Sequence, residues 1–231
     1  MCTLHCLPSA GHRSIPSMNC YGKNMTTNPI VVGIIGGVAS GKSEVSKQFV
    51  RRGAARIDAD ELAHWLLNVP EIQSKIIERF GPMILDRSKN VDRKKMAALV
   101  FGDDELSRKR RSDLELILHP AIRMSTEQRL NALRSQVELP MIVLDAPLLI
   151  EANWQALCNE IVFVETPLAL RQELAQNRGW STDEHNKREA AQRSIPEKRV
   201  AATQVILNDG SVDELHAKVD QLFDQLTRLK T

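Results

Sequence analysis

The sequence lacks an excess of charge of either sign, and it lacks a long hydrophobic run. Its formal net charge at pH 7 is +2, which argues against a dedicated nucleic-acid binder, because such proteins display a large basic face. No apolar stretch approaches roughly 20 residues, the length that a membrane-spanning helix needs. Internal repeats are absent as well. We therefore expect no nucleic-acid or membrane partner, while a local basic pocket for an anionic small molecule stays open.

Cysteine is scarce, and three of the four cysteines lie in the first 29 residues, which have neither strand nor helix periodicity. A cluster of possible zinc ligands lies in this segment: Cys2, His5, Cys6, His12 and Cys20. Its spacing fits no standard zinc finger and includes no C-x-x-C pair. The segment also lacks the apolar stretch of roughly 7–15 residues that a secretory signal contains. We expect a disordered tail over residues 1–29, with Met25 as the functional start, and a reducing cytoplasmic location without structural disulfides.

Buried strands alternate with helices along the rest of the chain. The apolar run from Ile30 to Ile35 is typical of a parallel strand that is covered on both faces, and it leads through a glycine-rich turn into a helix from Lys42 to about Arg52. Similar patterns predict four more strands, which are "AARID", Met141–Asp145, Glu160–Glu165 and "TQVILNDG". A last amphipathic helix is predicted over Val212–Leu229. We predict one α/β domain with a five-stranded parallel sheet.

Two helical stretches interrupt this alternation. From Pro70 to about Gln136, apolar residues recur at three- and four-residue spacing, and Gly81–Pro82 and Asp86–Asn90 divide the stretch into separate helices. A second helical stretch is rich in arginine. The expected organisation is a core (30–58, 140–168 and 201–231), an inserted helical substrate subdomain (about 59–137) and a helical lid (about 169–200).

A phosphate-binding motif follows the first strand. "GGVASGKS", residues 36–43, fits G-x-x-x-x-G-K-[ST] without a mismatch and lies between a buried strand and a helix, as the motif requires. Its glycines let backbone N–H groups point at phosphate oxygens, Lys42 can reach the β- and γ-phosphates, and Ser43 can place its hydroxyl on Mg²⁺. We expect the whole loop to bind a nucleotide polyphosphate: Gly36, Gly37, Val38, Ala39, Ser40, Gly41, Lys42 and Ser43.

Three aspartates lie at or just after the ends of predicted strands, where ligands bind in open α/β sheets. Asp58 and Asp60, one residue apart in "ARIDADELAH", would point to the same side of the chain. We expect one of the two to cap the following helix. If Asp60 is not the cap, it is a catalytic base. Asp58 either contacts a Mg²⁺-bound water or supports the loop. Asp145 ends the third strand, the placement of a carboxylate that holds Mg²⁺ directly or through water.

The phosphate-binding loop occurs in GTPases, motor ATPases and small-molecule kinases, so other residues must distinguish these classes. GTPases usually read guanine with N-K-x-D after a buried strand, and the only near match is "NKRE", Asn186–Glu189, in a polar helical stretch. A motor or nucleic-acid ATPase normally has a longer chain and a basic tract. A compact kinase with an arginine-bearing lid is the leading interpretation. Another nucleotide or small-molecule kinase and a GTP-binding switch are the alternatives.

Six features follow one another along the chain: "GIIGGVASGKS", "IDADELAH", "ILHPAI", "LDAPLLIE", the lid arginines and "ILNDG". Their order resembles that of the dephospho-CoA kinase family, from about Ile30 to the C-terminus. The resemblance implies a three-layer P-loop kinase fold. It also implies transfer of the γ-phosphoryl group of ATP to the ribose 3′-hydroxyl of dephospho-CoA. We expect the reaction to require Mg²⁺ and the enzyme to be a monomer or weak homo-oligomer. One departure is Glu44, where a threonine is frequent, one step beyond the phosphate-facing positions.

The resemblance and the positions of residues along the chain together suggest roles for individual residues. The catalytic residues would be Asp60, Lys42 and Arg178. ATP would be bound by residues 36–43, Arg178, Arg199 and Asn208. Dephospho-CoA would be bound by Asp58, Asp60, His64, His119, Pro147 and Leu148. Mg²⁺ would be held by Ser43, with Asp145 as a further candidate. Two of these residues have an alternative interpretation from their position. His64 lies one helical turn after Asp60, where an ordinary polar residue fits equally well. His119–Pro120 predicts a helix boundary.

Overall fold

The computed structural model describes residues 28–102, 104–136 and 138–228. The candidate zinc ligands, Met25 and nearly all of the expected tail lie outside these described residues. Within the described part, five β-strands lie where the apolar patterns predict them: β1 (Ile30–Gly36), β2 (Ala55–Asp58), β3 (Met141–Asp145), β4 (Glu160–Glu165) and β5 (Gln204–Leu207).

The strands form one parallel sheet in the order β2-β3-β1-β4-β5, which confirms the predicted five-stranded parallel sheet. β1 lies at the centre between β3 and β4, and ligands of open α/β sheets bind beyond the carboxyl end of such a central strand. Residues at the carboxyl ends of adjacent strands are neighbours along this edge: Asp58 lies beside Asp145, and Gly36 lies beside Val164. The edge therefore brings together the phosphate-binding loop and two strand-end aspartates.

β1 is completely buried, because helices and loops cover both faces of the sheet. Two helices pack on one face: α1 (Lys42–Arg51) and α9 (Val212–Arg228). Val32 belongs to the core on that face, where the rings of Phe49 and Phe223 lie 6.5 Å apart. Val31 belongs to the core on the opposite face, which continues into the helices between β2 and β3.

In the described chain between β2 and β3, four α-helices and a 3₁₀ turn form what we call the α2–α5 insertion: α2 (Ala59–Leu66), α3 (Pro70–Phe80), the 3₁₀ turn Pro82–Ile84, α4 (Arg93–Val100) and α5 (Glu105–Arg134). The predicted break after α3 falls at Gly81, whose φ is +81°. The second predicted break is a turn in which the Asp86 side chain accepts hydrogen bonds from the backbone N–H groups of Ser88 and Asn90. α5 packs against α2, α3 and α4.

The predicted helix boundary at His119–Pro120 is wrong, because α5 continues through it from Glu105 to Arg134. Proline has no backbone N–H, so the carbonyl of Leu116 loses its usual donor. Leu116 is 72% exposed, and water can replace that donor. Ala121 and Ile122 are buried in the core, and this tertiary packing keeps the helix continuous.

Three short helices lie between β4 and β5, in what we call the α6–α8 segment: α6 (Leu168–Gln176), α7 (Thr182–Ala190) and α8 (Ile195–Ala201). The last two begin at serine caps. Ser181 accepts a hydrogen bond from the backbone N–H of Glu184, and Ser194 forms a reciprocal capping box with Glu197. Within the described ranges, none of the helices combines the length and the apolar character needed to cross a membrane.

Candidate active site

The phosphate-binding motif forms a tight loop between β1 and α1. Gly41 has φ of +88°, and a Cβ at this position would lie 2.7 Å from Nδ2 of Asn208. The backbone N–H of Ser40 donates to the carbonyl of Gly37 at 3.3 Å. Glycine alone satisfies both the left-handed backbone and the close contact at position 41. The spacing of the motif therefore matches a geometric requirement of the loop.

Two side chains that follow neighbouring strands hold this loop. The hydroxyl of Thr166, just after β4, donates to the Ser40 carbonyl at 2.8 Å. Nδ2 of Asn208, just after β5, donates to the same oxygen at 3.0 Å. Both side chains are buried. Asn208 is one of the residues predicted to bind ATP. Thr166 was not predicted, although a polar residue directly after a buried strand is a signal that the sequence contains.

Lys42 is folded back onto its own loop. Its Nζ donates to the carbonyls of Gly37 at 2.7 Å and Gly36 at 3.3 Å. Burial, with a smaller effect from the positive charge of Lys198, lowers the pKa of Lys42 to about 8. An anionic group in the loop would favour the charged ammonium group. It would also offer Lys42 acceptors in place of the two carbonyls.

Asp58, and not Asp60, is the N-cap of α2. Its Oδ1 accepts from the backbone N–H groups of Asp60 at 2.9 Å and Glu61 at 3.0 Å. Its Oδ2 pairs with Arg56, whose guanidinium also lies 3.4 Å from Oδ2 of Asp145. Asp58 therefore supports the turn through both oxygens. Arg56, which was not among the predicted site residues, joins the ends of β2 and β3.

Asp60 lies in the first turn of α2, and its carboxylate is not the cap. Partial burial raises the pKa of Asp60, the negative charges of Asp58 and Asp145 raise it further, and His64 opposes them. The charges of Asp145 and His64 therefore both act on Asp60, and for His64 this agrees with the predicted helical spacing. A carboxylate with reduced hydration and a raised pKa is a better proton acceptor than an ordinary aspartate.

The two arginines predicted to bind the nucleotide have different surroundings. Arg178 is exposed, and its guanidinium lies 5.7 Å from the ring centroid of Trp180. Its positive charge contributes to the lowered pKa of Lys42, so it is close to the loop. Arg199 is half-exposed and lies 3.1 Å from Glu165 at the end of β4. The two arginines therefore differ in that Arg199 pairs with a carboxylate at the sheet edge, whereas Arg178 lies exposed beside Trp180.

Arg171 and Lys198 are basic residues of the α6–α8 segment that are buried against the loop. Arg171 donates from Nε to the Thr166 carbonyl at 3.2 Å and pairs with Glu189. Lys198, which was not among the predicted site residues, donates from Nζ to the Gly36 carbonyl at 3.4 Å. A lysine between Glu197 and Arg199 looks like a solvated residue in sequence, so no local signal marked it.

The remaining residues predicted to bind the acceptor lie in two other places. His119 is exposed on α5, Pro147 is half-buried and Leu148 is exposed in the turn after β3. Among the described residues, no hydrogen bond or ion pair joins any of these three side chains to Asp60.

Metal-binding candidates at this edge are oxygen donors. Ser43 is exposed in the first turn of α1, and the carboxylate of Asp145 is mostly buried at the end of β3. Burial raises the pKa of Asp145, and Arg56 opposes this effect. In the three described ranges, no group of three or more histidine, cysteine, aspartate or glutamate residues is arranged to hold a metal. Two hard oxygen donors fit Mg²⁺ that is shared with ligand phosphates and water.

Known proteins resemble this chain over most of its length. The family model for dephospho-CoA kinase matches residues 30–214. A dephospho-CoA kinase of Rhodopirellula baltica is 35% identical over 190 residues, which cover 82% of this chain and 88% of that protein. A dephospho-CoA kinase of Bacillus licheniformis is 35% identical over 205 residues, which cover 87% of this chain and 98% of that protein.

Solved structures show the same architecture. A crystal structure from Thermus thermophilus matches with a TM-score of 0.69 and 32% identity, over 87% of this chain and 99% of that chain. A dephospho-CoA kinase from Campylobacter jejuni matches with a TM-score of 0.67 and 22% identity, over 87% of this chain and 98% of that chain. The second likeness concerns the fold alone.

Proposed function

The chain belongs to the dephospho-CoA kinase family, enzymes that phosphorylate dephospho-CoA with ATP in coenzyme A biosynthesis, and from this premise we propose how its residues act. The observation that carries the proposal is the convergence of two features at one sheet edge. These are a complete phosphate-binding loop, residues 36–43, and the carboxylate of Asp60, which the cap at Asp58 leaves available. The loop takes the ATP phosphates, and Asp60 takes the ribose 3′-hydroxyl of dephospho-CoA.

ATP is held by the loop and by positive charge around it. Lys42 leaves the carbonyls of its own loop for the β- and γ-phosphates, and the N-terminus of α1 adds a favourable field. Arg178 approaches from the α6–α8 segment and stabilises charge on the transferring group. Arg199 and Asn208 complete the ATP site.

The acceptor lies between the loop and the α2–α5 insertion. Asp60 orients the 3′-hydroxyl and accepts its proton late, because phosphoryl transfer passes through a loose transition state. The raised pKa of Asp60 supports this role. The surrounding acceptor site consists of Asp58, His64, His119, Pro147 and Leu148.

Mg²⁺ fits the oxygen donors of Ser43 and Asp145, which we assign to hold it together with the ATP phosphates. A bound Mg²⁺ ion supplies charge neutralisation on the β- and γ-phosphates. Asp145 already lies beside Arg56, so this carboxylate keeps a fixed orientation at the end of β3.

The two helical segments outside the core have different proposed roles. We assign the α2–α5 insertion, within about residues 59–137, as the acceptor subdomain, and the α6–α8 segment, within about residues 169–200, as the lid. Closure of such a lid brings Arg178 to the transferring group and excludes water. We place the enzyme in the cytoplasm, as a monomer or weak homo-oligomer, and sedimentation equilibrium would test the latter.

A coupled assay of ADP release tests the function directly. Dephospho-CoA should stimulate ADP release from MgATP well above background, whereas AMP and simple sugars should not. Failure of dephospho-CoA to stimulate release would overturn the proposed activity. A parallel titration with GTP separates the kinase from a GTP-binding switch, since a preference for GTP would favour the switch.

The buried support under Ser40 gives a further prediction. Removing both donors with Thr166→Val and Asn208→Ala leaves the Ser40 carbonyl without them, which costs about 1–3 kcal/mol. We expect the double variant to raise the Kd for ATP roughly tenfold, measured by calorimetry. Each single variant should have a smaller effect, because the other donor remains.

Thr227→Val is the matched control, because the Thr227 hydroxyl donates to the Phe223 carbonyl in α9 at 2.8 Å, away from the loop. It should bind ATP like the wild type. A double variant with wild-type ATP affinity would show that Thr166 and Asn208 do not set the shape of the loop.

A further inference from the structure

The three helices of the α6–α8 segment each place one basic side chain against the phosphate-binding loop. These side chains meet three consecutive loop residues, 36–38. Arg171 of α6 packs so closely on Gly37 that a Cβ there would lie 2.6 Å from its Nη1. His185 of α7 has Nε2 3.3 Å from the Val38 carbonyl oxygen. Lys198 of α8 is the third.

Lys198 is the most unusual of the three. It is 2% exposed, although lysine is almost never fully buried unless it is paired. Its Nζ donates to Oε1 of Gln192 at 2.6 Å and to the Gly36 carbonyl at 3.4 Å, and it lies 3.9 Å from Oε1 of Glu151. These partners belong to the chain before α8, to the loop and to the segment after β3. One ammonium group therefore joins three separate parts of the molecule.

Lys198 shares its loop acceptor with Lys42. The Gly36 carbonyl oxygen lies 3.3 Å from Nζ of Lys42 and 3.4 Å from Nζ of Lys198. Lys42 must release this oxygen to reach a phosphate. Gly36 is buried, and a buried carbonyl that loses its donor is costly. Lys198 can keep donating to the Gly36 carbonyl after Lys42 has moved.

We propose that Lys198 is a positioning residue for the phosphate-binding loop, which holds the Gly36 carbonyl and joins α8 to the loop when Lys42 moves to the ATP phosphates. The proposal rests on the proposed function only in assigning Lys42 to those phosphates. Lys198 itself stays behind the loop, and its contribution appears in the binding of ATP. Lys198 reaches the segment that carries Pro147 and Leu148 only through the 3.9 Å contact with Glu151, so acceptor binding should depend on it much less than ATP binding does.

Calorimetry of ATP binding without acceptor, combined with initial rates, tests this proposal. Lys198→Met keeps the length of the side chain and removes the donor, and it should raise the Kd for ATP about tenfold. The KM for dephospho-CoA should stay within about twofold of the wild type. Lys198→Arg restores a charged donor and should recover most of the ATP affinity. Lys187→Met, at an exposed lysine of α7, is the control and should bind ATP normally.

An unchanged ATP affinity in Lys198→Met would overturn the proposal. So would equal losses for ATP and dephospho-CoA, because they would indicate general damage, and so would failure of the arginine variant to restore binding. Gln192→Leu provides a second test in case the methionine variant does not fold. It removes the acceptor at 2.6 Å and should raise the Kd for ATP about threefold; a folded Gln192→Leu protein with wild-type affinity would also overturn the proposal. These ATP titrations need no acceptor, so they give an answer even if dephospho-CoA proves not to be the substrate.

Discussion

Replacing Asp60 by asparagine should lower kcat by about 10²–10⁴-fold, the usual size of a general-base contribution, while the Kd for ATP stays close to that of the wild type. Asparagine has nearly the same shape, but it cannot accept the proton of the 3′-hydroxyl. Helix α2 should survive the change, because its cap is Asp58. Single-turnover rates with saturating ATP and dephospho-CoA would measure the loss in the chemical step. Turnover near the wild-type level would show that Asp60 is only a residue of the first helical turn.

Asp58→Asn is the matched control for this experiment. Asparagine caps helices about as well as aspartate, so the turn should persist while one negative charge disappears. We expect a much smaller loss of kcat than in Asp60→Asn. An equal loss in the two variants would mean that the pair, and not Asp60 alone, serves the reaction.

The pH dependence of kcat adds an independent readout. Asp60 must be ionised to accept a proton, and its pKa is raised by partial burial and by the charges of Asp58 and Asp145. The rate should therefore fall, as the pH is lowered, at a pH above the ordinary aspartate pKa of about 3.9. Asp58→Asn removes one of the raising charges, so its acid limb should move to lower pH. An acid limb that does not move would assign it to another group.

The raised pKa of Asp60 also carries a consequence for stability. A carboxylate whose pKa is higher in the folded state destabilises the fold once the pH exceeds that pKa, and this penalty vanishes below the ordinary pKa. Asp60→Asn should therefore melt no lower than the wild type at neutral pH. Thermal unfolding of both proteins, from below the ordinary aspartate pKa up to pH 7, would measure the difference in melting temperature. A clear loss of stability in Asp60→Asn at pH 7 would contradict the raised pKa.

Lys42→Met should produce the second large effect, a decrease of about 10²–10³-fold in kcat, which is typical for the loss of one preorganised donor to a developing charge. The variant removes the ammonium group that reaches the β- and γ-phosphates, and the Kd for ATP should rise as well. Lys47→Met is the control on the same helix, because Lys47 is 58% exposed and lies 3.7 Å from Glu44. Initial rates over a range of ATP concentrations would separate kcat from KM. An Lys42→Met enzyme with wild-type kcat would remove Lys42 from the reaction.

Stability should not suffer from this substitution. The pKa of Lys42 is lowered to about 8, chiefly by burial, so its charge opposes folding below that pH. This penalty should fade as the pH rises from about 8 towards the ordinary lysine pKa of about 10.4. The melting temperature of Lys42→Met, relative to the wild type, should therefore be highest at neutral pH and decline in alkaline solution.

The sequence alone determined the five strands, their parallel arrangement and the phosphate-binding loop. The strands Met141–Asp145 and Glu160–Glu165 occur as predicted, because a continuous apolar run is a local signal for a strand that is buried on both faces. The loop at 36–43 was equally predictable, since its glycines and its lysine act within eight consecutive residues. The resemblance to one kinase family also followed from the order of short motifs.

Only the tertiary structure decided the contacts between distant parts of the chain. Both Asp58 and Asp60 can cap a helix, and the backbone geometry after β2 selected Asp58. At His119–Pro120, packing against the core outweighed the local tendency of proline to end a helix. Thr166 and Lys198 meet the loop across 126 and 162 residues of sequence. Sequence spacing carries no information about such contacts, because they arise when parallel strands and their connecting helices come together at one edge of the sheet.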